Sequence, residues 1–374
     1  MLITSRTMPR LFVGGAILAI VAAACGGGAS PSTAAKTATS AADMGGMDAL
    51  VTAAKAEGKL NVIALPPDWA NYGAVIDAFA AKYGIEVTSD QPDANSQQEI
   101  DAANQLKGTD RAPDVFDLGS TVAFANTALF APYKVAAWAD IPADAKDPTG
   151  LWYPDYTGYM SIGCDAGKVT MPTTVADLLK PEYKGMIALN GDPTAAAAGF
   201  NGVVMASLAN GGSADDIGPG VDFFKELNDA GNLLPVDPTP ATIASGQTPC
   251  VIDWEYNNAA QTDALAGQID WQVIIPSDAP PVASYYIQAI NKDAPHPAAA
   301  RLWEEFLYTP EGQNLWLVGY ARPVLQGKMV ADGTVDQTAL GKLAPTTGTP
   351  VQLTPDQAKA AQDYLAANWN ITIQ

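Results

Sequence analysis

Trp254 and Glu255 set an indole ring beside a carboxylate, while Asp68-Trp69, after Pro66-Pro67, is a ligand contact or a solvated turn. An aromatic quadrupole attracts a positive group and a neighbouring carboxylate fixes it, so these residue types suit an organic cation. Catalytic combinations are scarce. The single histidine, His296, stands between Pro295 and Pro297 at a helix start, which argues against a Ser-His-Asp or Cys-His site. There is no His-Glu-x-x-His zinc pattern and no Walker A loop. Forty acidic residues leave open a carboxylate pair of the glycosidase or lyase kind. A surface adhesin is a third class. Turnover separates the enzyme from a binding protein, and a cleft that closes on its ligand separates the adhesin.

The elements that must hold these residues follow an α/β pattern. Residues 47–57 read as a helix stopped by Gly58, and residues 60–65 as a strand broken by Pro66-Pro67. Tyr72, Val75, Ile76, Phe79 and Tyr83 fall at helical spacing before Gly84. Residues 85–88 form a second strand, Ser96 and Glu99 a capping box for the next helix, and residues 114–118 a third strand. Strand, helix, strand, helix, strand predicts a parallel sheet with right-handed crossovers. Ligands in such sheets sit beyond the carboxyl ends of the strands, which puts Asp68, Trp69, Asp117 and Ser120 on one rim. Asp117 serves there as a ligand contact or as a helix cap. The aromatic stretch 152–163 follows, and Pro154 and Gly158 fit a bend before a hinge. Tyr156 lies at the mouth of a cleft or packs beneath it.

The pattern then restarts. Residues 185–189 and 250–254 read as strands, and Asp192, in the turn after the first of them, is a ligand contact or else a turn former or helix cap. Residues 271–275 and 284–290 are further strands, and the last third is helical.

The chain has 374 residues, 48% of them hydrophobic, enough for two domains with substantial cores. Its formal net charge of −20 repels nucleic acid and anionic headgroups and tolerates or attracts cations. Arg6 and Arg10 precede an apolar run over residues 11–24, which fits the h-region of a signal peptide and is short for a bilayer span. Val21-Ala22-Ala23-Ala24-Cys25 resembles a lipobox, with Ala22 where Leu or Val is usual. Cleavage before Cys25 would leave that cysteine lipidated. Residues 26–46 are Gly, Ala, Ser, Thr and Pro with little else, and read as a flexible tether. Cys164 and Cys250 remain, and an exported protein can oxidise such a pair; the sequence leaves open whether they meet.

Three carboxyl-terminal segments carry a resemblance: residues 297–307, Thr309-Pro310-Glu311-Gly312-Gln313, and Gly319-Tyr320-Ala321-Arg322-Pro323-Val324. Residues 78–87, 177–189 and Pro113-Asp114-Val115 agree with them. Together they resemble the extracellular solute-binding proteins of ABC importers, in the branch that binds ferric ion, polyamines, thiamine or aminophosphonates. The resemblance implies a periplasmic-binding-protein-like α/β fold with two lobes of mixed sheets flanked by helices. Hinge strands join the lobes, and a solute is held between them. It implies a first lobe over residues 47–158, a second over 159–283, and a return over 284–374. The expected partners are a small solute and an ABC permease. The resemblance further implies a monomer that meets the membrane only through the lipid anchor and takes no nucleic acid and no cofactor.

The resemblance places ligand contacts at Asp68 and Trp69, at Asp117 and Ser120, and at Trp254, Glu255 and Tyr256, with Tyr156, Asp192 and Tyr286 completing the expected set. Trp254 either meets ligand or packs at the lobe interface. The polyamine branch has a Trp and an acid near this place, which favours a polyamine- or thiamine-like cation. The ferric branch has an adjacent tyrosine pair where this chain reads Glu255-Tyr256, so one phenol is missing. Tyr285-Tyr286 is such a pair, but neighbours in a strand point to opposite faces and do not share a metal.

Overall fold

The computed structural model describes residues 31–344 and 348–373. The leader, Cys25 and residues 26–30 lie outside the described residues. The first lobe is built from α1 (Pro31–Thr37), α2 (Met47–Glu57), β1 (Lys59–Ile63), α3 (Tyr72–Tyr83), β2 (Glu86–Asp90), α4 (Ser96–Gln105), β3 (Val115–Gly119), α5 (Ser120–Ala125) and β4 (Phe130–Ala131). β5 (Tyr153–Asp165) crosses to the second lobe. That lobe holds β6 (Ile187–Leu189), α6 (Ala197–Ala209), α7 (Gly218–Asp229), α8 (Pro240–Ala244), β7 (Cys250–Trp254), α9 (Glu255–Ala264) and β8 (Trp271–Ile274). β9 (Ala283–Asn291) returns, followed by α10 (Pro297–Leu307), α11 (Pro310–Val318), β10 (Arg322–Pro323), α12 (Gln326–Asp332), α13 (Gln337–Leu340) and α14 (Pro355–Thr372).

Local chemistry sets the element ends. Gly58 and Gly84 stop α2 and α3 at φ of 72° and 67°, a left-handed conformation that costs glycine nothing. Tyr72, Val75 and Phe79 are the buried face of α3, three and four residues apart. The hinge is a matter of strand length. β5 runs for 13 residues; its first half pairs with β9 and β10, its second half with β7 and β8. The register between β5 and β9 shifts between Pro154 and Thr157, where the sequence predicts a bend. Cys164 and Cys250 face each other in register on β5 and β7 and are disulfide-bonded.

Four features differ from the sequence expectations. Residues 31–46 include ordered structure. α1 packs on α2 and α10, Ala35 and Ala38 are buried, and Arg301 donates from Nε to the Ala38 carbonyl at 2.9 Å. Alanine side chains are small enough to let this segment lie flat on the lobe. The capping box of α4 forms one residue early, between Asn95 and Gln98. The expected parallel three-stranded sheet is split: β1 and β2 pair in parallel, while β3 pairs antiparallel with the returning β9. Between β1 and β3, the Asp114 N–H donates to the Asn61 carbonyl at 2.8 Å and the Asp114 carboxylate takes the Asn61 N–H at 2.7 Å, with no further strand pairing between them among the described residues. Last, α14 packs on α7 of the second lobe and on α5 of the first, with Trp369 edge-on to Phe224 at 5.4 Å.

Candidate ligand-binding cleft

A cavity of about 720 Å³ lies between the lobes. Its first-lobe wall comes from the loop after β1 (Asp68, Trp69), the turn into α4 (Asp93, Asn95), α4 itself (Gln98, Glu99) and β3 (Asp117). The second-lobe wall comes from the turn after β6 (Asn190, Asp192), the start of α6, the loop before α8 (Asp237), and β7 with α9 (Asp253, Asn257, Gln261). Tyr286 of β9 completes it. Seven of these residues are carboxylates, and among the described residues no Lys, Arg or His lines the cavity.

The early cap on α4 explains part of this wall. With Asn95 and Gln98 satisfying each other, Ser96 and Glu99 turn inward. Ser96 Oγ accepts the Gly119 N–H at 2.9 Å and Glu99 Oε2 accepts the Asp117 N–H at 3.2 Å. Tyr72 donates its hydroxyl to Asp117, and Gln288 Nε2 donates to Asp117 Oδ1 at 3.0 Å. Burial outweighs these hydrogen bonds and pushes the Asp117 carboxyl up to about 7. Burial also drives Glu99 upward, helped by the charge of Asp117, and lifts Asp253 to about 6. Asp253 Oδ2 accepts from Asn257 at 3.1 Å.

Asp68, Trp69, Asp117, Asp192 and Tyr286 border the cavity. Asp192 also forms its turn, accepting the Thr194 N–H at 2.8 Å. The other expected contacts stand off the wall. Ser120 heads α5, with its hydroxyl 3.5 Å from that of Ser284. Tyr156 is buried behind Trp69, whose indole N–H donates to its hydroxyl at 3.0 Å. Trp254 is fully buried and stacks on Tyr256 at 6.1 Å. Tyr256 is buried too, at the edge of Trp69 (5.8 Å), and its phenol is pushed well up by burial. Glu255 turns away from the cavity to Arg322, which donates from Nε at 2.6 Å and from a second nitrogen at 3.2 Å. The acid that faces the cleft here is Asp253. Strand parity could have found it: Val251 and Asp253 line the cavity while Ile252 and Trp254 are buried in the core. Glu99, Asp93 and Asp237 carry no comparable sequence signal.

The lobes touch on both flanks of the cavity. On one flank Gly119 meets Ala197. On the other, Trp69 meets Tyr256, and Tyr320 and Lys342 hold Asp263 of α9, Lys342 at 3.0 Å. Gly158 lets Tyr256 lie on the hinge strand; a Cβ there would come within 2.5 Å of its ring.

Two lobes on hinge strands around a polar cavity define a solute-binding protein. The family model of the bacterial extracellular solute-binding proteins matches residues 112–340, more than half of the chain, and the chain belongs to that family. It is therefore an exported binding protein of the ABC-transporter type, a carrier of solute rather than an enzyme. Solved structures share the fold. The periplasmic binding protein P5PA is 17% identical with a TM-score of 0.66, over 85% of this chain and all of that one. AgtB from A. tumefaciens R10, in complex with agropinic acid, is 16% identical with a TM-score of 0.65, over 84% of this chain and 98% of that one. Iron-bound HitA from Pseudomonas aeruginosa is 18% identical with a TM-score of 0.61, over 84% and 99%. No curated protein matches the chain in sequence.

Proposed function

We propose that the cleft takes a small organic cation of polyamine or thiamine type and that the protein delivers it to an ABC permease. The carrying observation is the wall itself: seven carboxylates from both lobes with no basic side chain among the described residues that line it. An anionic solute would meet repulsion from every side and no charged partner, whereas a cation finds acids on both walls and the ring of Trp69. The cavity of about 720 Å³ suits an organic molecule better than a bare ion. Ferric ion is the weaker reading, because Glu255 stands where a first tyrosine would be and is held by Arg322, while the Tyr256 hydroxyl is buried.

The ligand-binding set we propose is Asp68, Trp69, Asp117, Asp192 and Tyr286, joined by Glu99, Asp237 and Asp253. The protein works as a monomer, anchored through a lipid on Cys25. Thermal unfolding with putrescine, spermidine, thiamine, aminophosphonates and ferric salts tests the ligand. A ligand at a hundred times its Kd adds about 2.7 kcal/mol, which raises the midpoint by several degrees. A shift with ferric or anionic compounds alone would overturn the organic-cation reading. Release of a Cys25→Ser variant from the membrane fraction tests the anchor.

A further inference from the structure

Glu99 and Asp117 border the cavity and are nevertheless buried, with 1% and 6% of their surfaces exposed. They are joined by the bond from the Asp117 N–H to Glu99 Oε2. Behind them, Gln288 Nε2 donates to Asp117 Oδ1 and to Asp155 Oδ2, both at 3.0 Å. Asp155 is fully buried on the hinge strand β5 and otherwise accepts the Tyr156 N–H at 2.7 Å. Three carboxyls thus run from the cavity wall to the hinge. The carbonyl oxygen of Gln288, inside this group and 1% exposed, has no donor. The Gln288 amide nitrogen thus bridges Asp117 and Asp155, two buried carboxyls on either side of one donor group.

Among the described residues no positive charge acts on Glu99, Asp117 or Asp155 directly; Arg301 acts on the neighbouring Glu304, and Tyr308, which follows α10, faces both Asp117 and Asp155. Tyr72 faces Asp117 from α3, Tyr156 from β5 and Tyr286 from β9. Glu304 reaches it from α10, and Tyr256 and Asp253 stand across the cleft on α9 and β7. All that face Asp117 are neutral or acidic. Carboxyls this close and this dry do not all ionise; below neutrality the group retains a proton until a cation arrives. Burial raises Glu99 and Asp155 and brings Asp117 up to about 7.

We propose that Glu99 and Asp117 read the ligand's positive charge, and that seating a cationic nitrogen on them expels a proton from the Glu99–Asp117–Asp155 group to solvent. Gln288 is the positioning residue that ties the ligand-facing carboxyl to the one on the hinge strand. The inference rests on the cation reading of the cleft and deepens it. No covalent bond changes; one proton leaves as one positive charge enters. Below about pH 7 the group must give up its proton to bind, so affinity rises as pH rises and levels off above that point, by about tenfold per pH unit on the rising limb for one proton.

Calorimetry with putrescine and thiamine, at pH 6 in two buffers of different ionisation enthalpy and then across pH 5.5–8, tests this. The expected result is close to one proton released per cation at pH 6, and a Kd that falls to a plateau near neutrality. Asp117→Asn and Glu99→Gln should bind at least tenfold more weakly and release less. Gln288→Leu should keep binding but move the rising limb to higher pH, because its two donated hydrogen bonds hold Asp117 and Asp155 lower than burial alone would; a purely structural residue would leave the limb in place. Cation binding with buffer-independent heat and a flat pH profile overturns the inference and leaves the cation reading standing. No cation binding at any pH overturns both.

Discussion

Gly119 of the first lobe and Ala197 of the second meet across the cleft so closely that a methyl group built on Gly119 would lie 2.7 Å from the Ala197 Cβ. Gly119 has φ of −55°, an ordinary conformation for any residue, and within its own lobe that methyl would find only ordinary contact with Ser96. Gly119→Ala should therefore leave the lobes folded and hinder their approach. A ligand gains from closure only what the closed state allows, so affinity for the cation should fall by about tenfold while the ligand-free midpoint changes little. Unchanged affinity by calorimetry would refute the contact's role.

Arg322 and Glu255 form a two-pronged ion pair that joins the hinge region to α9, with Glu255 3% exposed. Removing the arginine strands a buried carboxylate. Arg322→Met should cost about 3–5 kcal/mol, and a double variant with Glu255→Leu should recover most of that loss. Denaturant unfolding of the single and double variants checks it; a double variant no better than the single would sink the argument.

The Cys164–Cys250 bond ties the crossing strand to β7, and both residues are fully buried. Cys164→Ala with Cys250→Ala should lower stability by about 2–4 kcal/mol, chiefly by freeing the unfolded chain. The check is the unfolding midpoint of the variant against that of the untreated protein. Cation affinity should stay within a few-fold, because neither sulfur borders the cavity.

The cleft acids also predict a pH dependence of the ligand-free protein. Asp117 at about 7 and Asp253 at about 6 lie above their ordinary value of 3.8, and Glu99 and Asp155 are raised too. A raised carboxyl stabilises the folded state fully below its unfolded value, and that stability is lost as pH climbs through the folded one. His296, raised by Asp114, acts in the same direction. The midpoint should therefore be higher at pH 5.5 than at pH 8, and Asp117→Asn should flatten the difference. A midpoint that rises with pH over this window would contradict it.

Much of the frame was legible because it depends on neighbours in the chain. Gly58 and Gly84 end helices through their own φ, and the spacing of Tyr72, Val75 and Phe79 already marks one face of a helix. The bend near Pro154 could be read in the same way, while the two-lobed family was carried by the resemblance of the carboxyl-terminal segments. Asp68 and Trp69 follow a strand, and that placed them on a rim; Asp117 lies within β3.

What tertiary structure decided was direction. Glu99 faces the cleft because the α4 cap closed at Asn95 and Gln98, one residue before the pair the sequence suggested. Glu255 left the cleft because Arg322, 67 positions away, offered its buried carboxylate a charged partner. Trp254 and Tyr256 were drawn into the aromatic core around Trp69, which left Asp253 as the acid on the wall. Helix ends and strand spacing are local energies of a few residues and can be read along the chain. The side on which a carboxylate comes to rest depends on burial cost and on partners that only the folded chain brings near.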